Sequence, residues 1–235
     1  MKLPISSRLL ACAGFVPPDV RVADIGCDHG YLGIHLLTRR EPVTGVIAAD
    51  VRPGPLASAV RNGELYGVSD RMSFFLSDGV QSVPRDFDCM VCAGMGADTM
   101  ISILSAAPWL KDARYRLIFQ CQSRSQELRR FLSENGWYVA EESVLRDGRF
   151  LYTVMNVEYR PGEPALTPGQ WYFPPAMLEN PGPETVEYYH RTLRTLRMAL
   201  SARGAGADAL LERALRELEA LPEKQGLDFL KEETV

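Results

Sequence analysis

The chain has 235 residues, 46% of them hydrophobic and 24% charged, with a net charge of −4. That suits one globular domain with a small appendage and argues against a protein that grips nucleic acid through a generally basic surface. Five cysteines do not form a disulfide framework in a chain of this size, and no run approaches the ~18 apolar residues of a transmembrane helix.

Residues 6–15 predict a helix with Ser6 or Ser7 as N-cap. Its apolar part, Leu9 to Ala13, is short and flanked by Arg8 and Pro17-Pro18-Asp19, so it is not read as a signal peptide and a cytoplasmic protein is expected. Val20, Val22 and Ile25 predict a buried parallel strand, apolar on both faces. A helix over residues 30–39 follows, with Leu32, Leu36 and Leu37 at helical spacing. Residues 45–50 predict a second strand ending on Asp50, and 55–66 a helix with Pro55 in its first turn. A third strand, 72–76, ends in Ser77-Asp78-Gly79; a fourth, 87–93, ends in Gly94-Met95-Gly96. Helix 97–106, strand 116–119 and helix 123–135 come next, the last stopped by Gly136. Strands 137–144 and 150–159 are joined at Asp147-Gly148, a hairpin signal. Alternating strands and helices imply an α/β fold, a parallel sheet with helices on both faces. Closure by an antiparallel pair gives the Rossmann-like, seven-stranded sheet of class I methyltransferases that use S-adenosylmethionine (SAM).

The rest is arranged around Val20 to Leu32. Its pattern is D-x-G-x-x-x-G on Asp24, Gly26 and Gly30, with Asp28 where a dinucleotide fingerprint has its second glycine. A pyrophosphate needs close backbone approach there and is repelled by a carboxylate. A cationic ligand without phosphate suits the site better, and SAM is such a ligand. Asp50 lies about 20 residues past the loop, where an acid can hold ribose hydroxyls. Asp78-Gly79 is placed for the adenine amino group, and Gly94-Met95-Gly96 to face the methyl. Cys89 and Cys92 form a lone C-x-x-C with no second pair or nearby His, so no metal site is expected.

With these stretches in view, the chain resembles the bacterial tRNA (adenine(22)-N1)-methyltransferases. The resemblance rests on Arg8-Leu9, Ala23 to Leu32, Ala93-Gly94-Met95-Gly96, Gln120-Cys121-Gln122, Leu128 to Leu132, Gly136-Trp137 and Asp147 to Phe150. It spans roughly residues 5 to 158. Three features depart from the family's usual pattern: Ala97-Asp98 after G-M-G, Cys121 between the two glutamines, and Gly30 and Gly33 where Ala and Pro are common. The resemblance implies SAM contacts at Asp24, Gly26, Cys27, Asp28, His29 and Tyr31 in the first loop. It implies others at Asp50 and Val51, at Asp78 and Gly79, and at Gly94, Met95 and Gly96. The product would be S-adenosylhomocysteine. N1 of adenine has a free lone pair at neutral pH and can attack the sulfonium methyl directly. Catalysis then rests on in-line positioning and on groups that welcome positive charge, with Asp28 as the candidate catalytic residue. There is no Asn-Pro-Pro-Tyr clamp of the kind exocyclic-amine methyltransferases use. N1 lies on the Watson–Crick edge, so the base must be unpaired or flipped out.

Three parts are expected: a catalytic domain over 1–160, a Pro/Gly-rich linker over 161–183 and a helical hairpin over 184–235. Trp171-Tyr172-Phe173 is expected to pin the linker to the domain rather than to stack on bases. Val186, Tyr189, Leu193, Leu196 and Leu200, then Ala207, Leu211, Ala214, Leu218 and Leu221, alternate spacings of three and four, with Gly204-Ala205-Gly206 between the runs. This is a coiled-coil seam. Residues 185–216 hold six Arg and three acids. Arg191, Arg194 and Arg197 on one helix face, together with Arg8, are the expected tRNA contacts. Neither a membrane nor a metal is expected as partner, and a monomer is the default. The rivals are a SAM-dependent enzyme acting on a small molecule or protein, and a non-catalytic RNA-binding protein with a relict pocket. A nicotinamide dehydrogenase is a poor third, because the glycine fingerprint is incomplete.

Overall fold

In the computed structural model, which describes residues 3–203 and 208–230, the first strand is the centre of the sheet. β1 (Arg21–Ile25) lies between β2 (Gly45–Asp50) and β4 (Cys89–Met95), parallel to both. β3 (Met72–Leu76) extends the sheet beyond β2, and β5 (Arg116–Cys121) beyond β4. β7 (Phe150–Tyr159) is antiparallel to β5 and pairs with the edge strand β6 (Trp137–Asp147). The order is β3-β2-β1-β4-β5-β7-β6, as expected for a class I methyltransferase sheet. It reverses between β1 and β4, the switch point where such sheets bind ligands.

Alternate strand residues feed two cores. Val22, Val46, Ala48, Val91 and Ile118 pack against α1 (Ser7–Phe15), α2 (Tyr31–Thr38) and α3 (Pro53–Leu65). Ala23, Ile25, Ile47, Met90 and Phe119 pack against α4 (Ala97–Ala106) and α5 (Ser125–Glu134). Burial on both faces is why the inner strands read as apolar runs.

Several boundaries differ from the sequence expectation. α3 starts at Pro53, not Pro55, because Arg52 before a proline is extended and Pro53 suits the first helical position. β4 begins at Cys89 and runs to Met95, since a bulge at Gly94 continues the strand past Ala93. β5 reaches Cys121 rather than Phe119, and β6 reaches Asp147. The hairpin loop is therefore Gly148-Arg149, with Asp147 paired to Phe150. α5 starts at Ser125, after a left-handed Arg124.

The stretch 161–183 is more ordered than a linker. It holds α6 (Pro168–Tyr172) and a 3-10 turn at Pro175–Met177. Phe173 and Met177 enter a third core with Tyr189, Leu193 and Leu196 of α7 (Pro183–Arg203) and Leu211, Ala214 and Leu218 of α8 (Ala209–Glu219). A short α9 (Leu221–Gln225) follows. The Gly204-Ala205-Gly206 break and Ala207, the first residue of the second seam run, lie outside the described residues.

This third core is tied to the sheet domain by one buried ion pair. Arg129 of α5 and Glu142 of β6 have no exposed side-chain surface; Nη2 lies 2.7 Å from Oε1 and Nε 3.0 Å from Oε2. Nη1 donates to the carbonyl of Trp171 at 2.8 Å, and Nη2 to the Tyr188 hydroxyl at 3.4 Å. One guanidinium thus joins α5, β6, α6 and α7. Removing one partner of such a pair strands the other charge in the interior, at a cost of roughly 3–5 kcal/mol. Arg129→Ala should lower the unfolding free energy by about that much, and adding Glu142→Ala should cost little more. Denaturant unfolding of the single and double variants checks this; additive losses would contradict it.

Candidate active site

The carboxyl ends of the inner strands surround one cavity of about 480 Å³. That is within the usual range for a small-molecule site. β1 delivers the loop that forms its floor. Gly26 and Cys27 both donate N–H to the carbonyl of Ala49, at 2.8 and 2.9 Å, so the loop folds over the end of β2. Asp28 is left-handed, with φ +49°, a conformation Asp tolerates better than most residues. Its N–H donates to Asp50 Oδ2 at 3.2 Å. Gly30 N–H closes the turn onto the Cys27 carbonyl at 2.8 Å. At Gly30 φ is +73°, and a Cβ would sit 3.0 Å from that of Ala59, so glycine is required there.

Asp24 and Asp50 are buried at the base, only 3% and 5% exposed. Asp50 fastens the loops, Oδ1 accepting the Arg52 N–H at 2.9 Å and Oδ2 that of Asp28, and still lines the cavity with acceptor capacity left for the expected ribose hydroxyls. Asp24 is different, because its Oδ2 has no hydrogen-bond partner. Burial, and then the charge of Asp50, push its pKa up to about 7, against a stabilising N–H from Gly33. The nearby Cys27 thiol is pushed up as well, chiefly by burial.

The other strand ends contribute as expected in place. Val51, Asp78 and Gly79 line the cavity beyond β2 and β3, and Gly94 and Met95 line it beyond β4. Gly94, at φ +79°, is the bulge residue; its N–H donates to Oε1 of the buried Gln120 at 3.1 Å. With Asp24, Gly26, Cys27, Asp28 and Asp50, ten of the thirteen expected cofactor residues share one hollow. His29, Tyr31 and Gly96 are not in its lining. His29 and Tyr31 stack on each other, ring centroids 5.7 Å apart, and Gly96 is the N-cap of α4.

Arg8 also lines the cavity, held by Asp147 at 3.0 Å. The expected helix stripe lies elsewhere. Arg191 is paired with Glu187 and Arg197 with Glu219, both at 2.8 Å. Arg194 is exposed and forms no ion pair among the described residues.

Sequence reasoning missed Gln120, Gln122, Ser77, Arg52 and Thr99 as lining residues. The glutamines were visible in Gln120-Cys121-Gln122, but a fifth strand ending at Phe119 put them outside the sheet. The β4–β5 register, with Ala93 beside Gln120, brings them over the cavity.

Four carboxylates and two guanidiniums line the hollow, and one buried carboxylate oxygen lacks a partner. The first loop offers Asp28 where a phosphate would need bare backbone. These features suit a ligand with a cationic centre and fit poorly with a pyrophosphate. Among the described residues no three His, Cys, Asp or Glu converge to hold a metal ion, and no helix is long and apolar enough to cross a membrane.

Comparison with known proteins agrees with this geometry. The pattern of a methyltransferase domain matches residues 5–155. The Bacillus subtilis tRNA (adenine(22)-N(1))-methyltransferase is 29% identical over 158 residues, 67% of this chain and 66%, just under two thirds, of that protein. A proposed tRNA methyltransferase of Mycoplasma pneumoniae is 32% identical over 184 residues, 76% of this chain and 83% of that one. Among solved structures, a proposed tRNA (m1A22) methyltransferase of Streptococcus pneumoniae in complex with S-adenosyl-L-methionine has a TM-score of 0.79 and 29% identity, covering 92% of this chain and 99% of that chain. By its sheet order, its acidic cavity and the matching domain pattern, the chain belongs to the methyltransferase-domain family, and the relatives it resembles are tRNA methyltransferases.

Proposed function

We propose that the protein transfers a methyl group from SAM to N1 of an adenine in tRNA, position 22 by likeness to its relatives. The observation that carries this reading is the acidic hollow at the switch point, with the partnerless oxygen of Asp24 at its base. SAM, when bound, supplies an electrophilic methyl on a sulfonium. The chain's residues supply position and field. Asp24 and Asp28 favour the ligand's positive charge, Val51 and Asp78 border the side where its adenine would lie, and Asp50 keeps the loop in shape. On the β4 side the exposed Gly94 bulge leaves room for the incoming base. Adenine N1 needs no deprotonation, and the product base is cationic, so nearby carboxylates stabilise the developing charge. Among the described residues that line the cavity there is no His or Lys, and Cys27 is held as a thiol by burial. On this reading the enzyme works in the cytoplasm, as a single chain, with α7 as a handle on the tRNA backbone.

The founding experiment is transfer of labelled methyl from SAM to tRNA, with the modified position mapped by blocked reverse transcription. Asp28→Ala should cut kcat by at least tenfold while the protein remains folded; turnover at the wild-type rate would remove Asp28 from the mechanism.

Asp24 makes SAM binding depend on pH. Its carboxyl is protonated below about pH 7 in the free pocket, and a cation favours the ionised form. Binding at lower pH therefore releases a proton, and affinity should fall towards tenfold per pH unit below about 7 and level off above it. Titration calorimetry in two buffers of different ionisation enthalpy reads the released proton; Asp24→Asn should abolish the release. A flat profile in the wild type would contradict the assignment.

The tail's role is tested at Arg194. Arg194→Glu should weaken tRNA binding several-fold, more at low salt than at high, and leave SAM affinity unchanged. Equal tRNA affinity at both salt concentrations would remove this face of α7 from the interface.

A further inference from the structure

The tip of the β6–β7 hairpin holds aromatic and basic side chains that none of the three cores uses. β7 runs back along β5, with Thr153 opposite Cys121, the last residue of β5. Phe150, Leu151 and Tyr152 therefore project about 10 Å past the carboxyl edge of the sheet. Gln120 and Gln122, at the end of β5, line the cavity on that same edge. The hairpin tip thus stands beside the cavity mouth.

Arg8 links the two. It lines the cavity, its guanidinium carbon lies 4.9 Å from the centroid of the Tyr152 ring, and its Nε is 3.0 Å from Asp147. The rings of Tyr152 and Phe150 follow outward, with centroids 6.2 Å apart. Phe150 is 50% exposed, and Arg149 stacks over it at 4.9 Å. Arg149 forms no ion pair among the described residues. On the other side of the hairpin, Arg146 is paired with Glu187 of α7, which also holds Arg191. A nearly continuous path of rings and guanidiniums leads from the cavity, over the hairpin, to the arginine face of α7.

Phe150 does not stand alone: its half-exposed ring lies in a row with Tyr152, Arg8 and Arg149 beside the cavity mouth. An Arg stacked on that ring sets a cation beside a free π-face, which suits a nucleobase attached to a phosphate. We propose that Phe150 and Tyr152, with Arg149 and Arg8, form a stacking platform for unpaired nucleotides flanking the target adenine. The proposal rests on the reading of the protein as a tRNA methyltransferase and adds the surface that presents the base. A base methylated on its Watson–Crick edge must leave its pair and its stack. The platform returns stacking to its neighbours, and Arg8 steers the strand into the cavity.

The test uses the full chain and a tRNA substrate, with Phe150→Leu, Phe150→Trp and Arg149→Ala. Phe150→Leu should weaken tRNA binding about 5- to 100-fold, as expected for a lost stacking contact. SAM affinity and Tm should stay at wild-type values. Phe150→Trp should restore tRNA affinity, which a role in packing alone does not predict. Arg149→Ala should reduce the slope of log affinity against log salt by about one phosphate contact, roughly 0.7–0.9; Phe150→Leu should leave that slope unchanged. If the wild type methylates tRNA and both Phe150→Leu and Arg149→Ala bind it as tightly as wild type, the platform is wrong and the activity stands. If the wild type binds SAM but methylates no tRNA, the substrate reading fails and takes the platform with it. A change in oligomeric state with unchanged tRNA affinity in Phe150→Leu would assign the tip to a contact between copies and overturn the proposal.

Discussion

The structure depends on how the loop after β1 is fastened to the end of β2. Two N–H groups of the loop share the Ala49 carbonyl, and the next donates to the Asp50 carboxylate. This holds Gly26 to Gly30 in a tight turn with left-handed residues, opens the helix α2 behind it, and leaves Asp24 facing inward at the base. An apolar residue at position 50 would remove the acceptors for two backbone N–H groups, those of Asp28 and Arg52. The pocket's acidity and its shape therefore share a cause. Asp50 also supplies part of the field that keeps the Asp24 carboxyl protonated to about pH 7.

On the proposed chemistry a ring nitrogen attacks without a strong base, and the lining offers no thiol poised as one. The thiols near the site are buried and held in their protonated form. What the site offers is negative charge around a hollow and an open rim at the Gly94 bulge. The bulge depends on a buried amide, since the Gly94 N–H is received by Gln120, itself 1% exposed. An interior glutamine of this kind must be satisfied by hydrogen bonds, which ties the conformation of β4's end to that of β5's.

The tail is joined to the catalytic sheet more firmly than a linker would allow. Thr167 and Gly169 at the start of α6 both hydrogen-bond Glu217 of α8, at 2.6 and 2.8 Å. Close approach there is possible because residue 169 is a glycine: a Cβ would meet that of Glu217 at 2.7 Å. Through α6 and Arg129, α7 and α8 are set at a defined angle to β6 and hence to the hairpin beside the cavity. A tRNA held along α7 would meet the cavity in a fixed geometry rather than at the end of a flexible tether.

Much of this was legible in the chain alone. Periodicity showed seven strands and their order of alternation, and an acid or a glycine pair closed each of the first four. The D-x-G-x-D loop pointed to a cationic ligand, and its residues do line the cavity, because charge and the need for bare backbone are local properties of residues. Tertiary structure decided what no local pattern encodes. The register between β4 and β5 brought Gln120 to Gly94, and burial raised the pKa of Asp24 but left Asp28 facing solvent. His29, Tyr31 and Gly96, adjacent in sequence to cavity residues, turned out of the lining because the tight turn and the helix starts direct them elsewhere. Residues 161–183 read as a linker because Pro and Gly dominate their composition, yet a buried guanidinium 30 residues or more away organises them. Contacts at such separation depend on which surfaces the fold brings together, and that is set only when the whole sheet has formed.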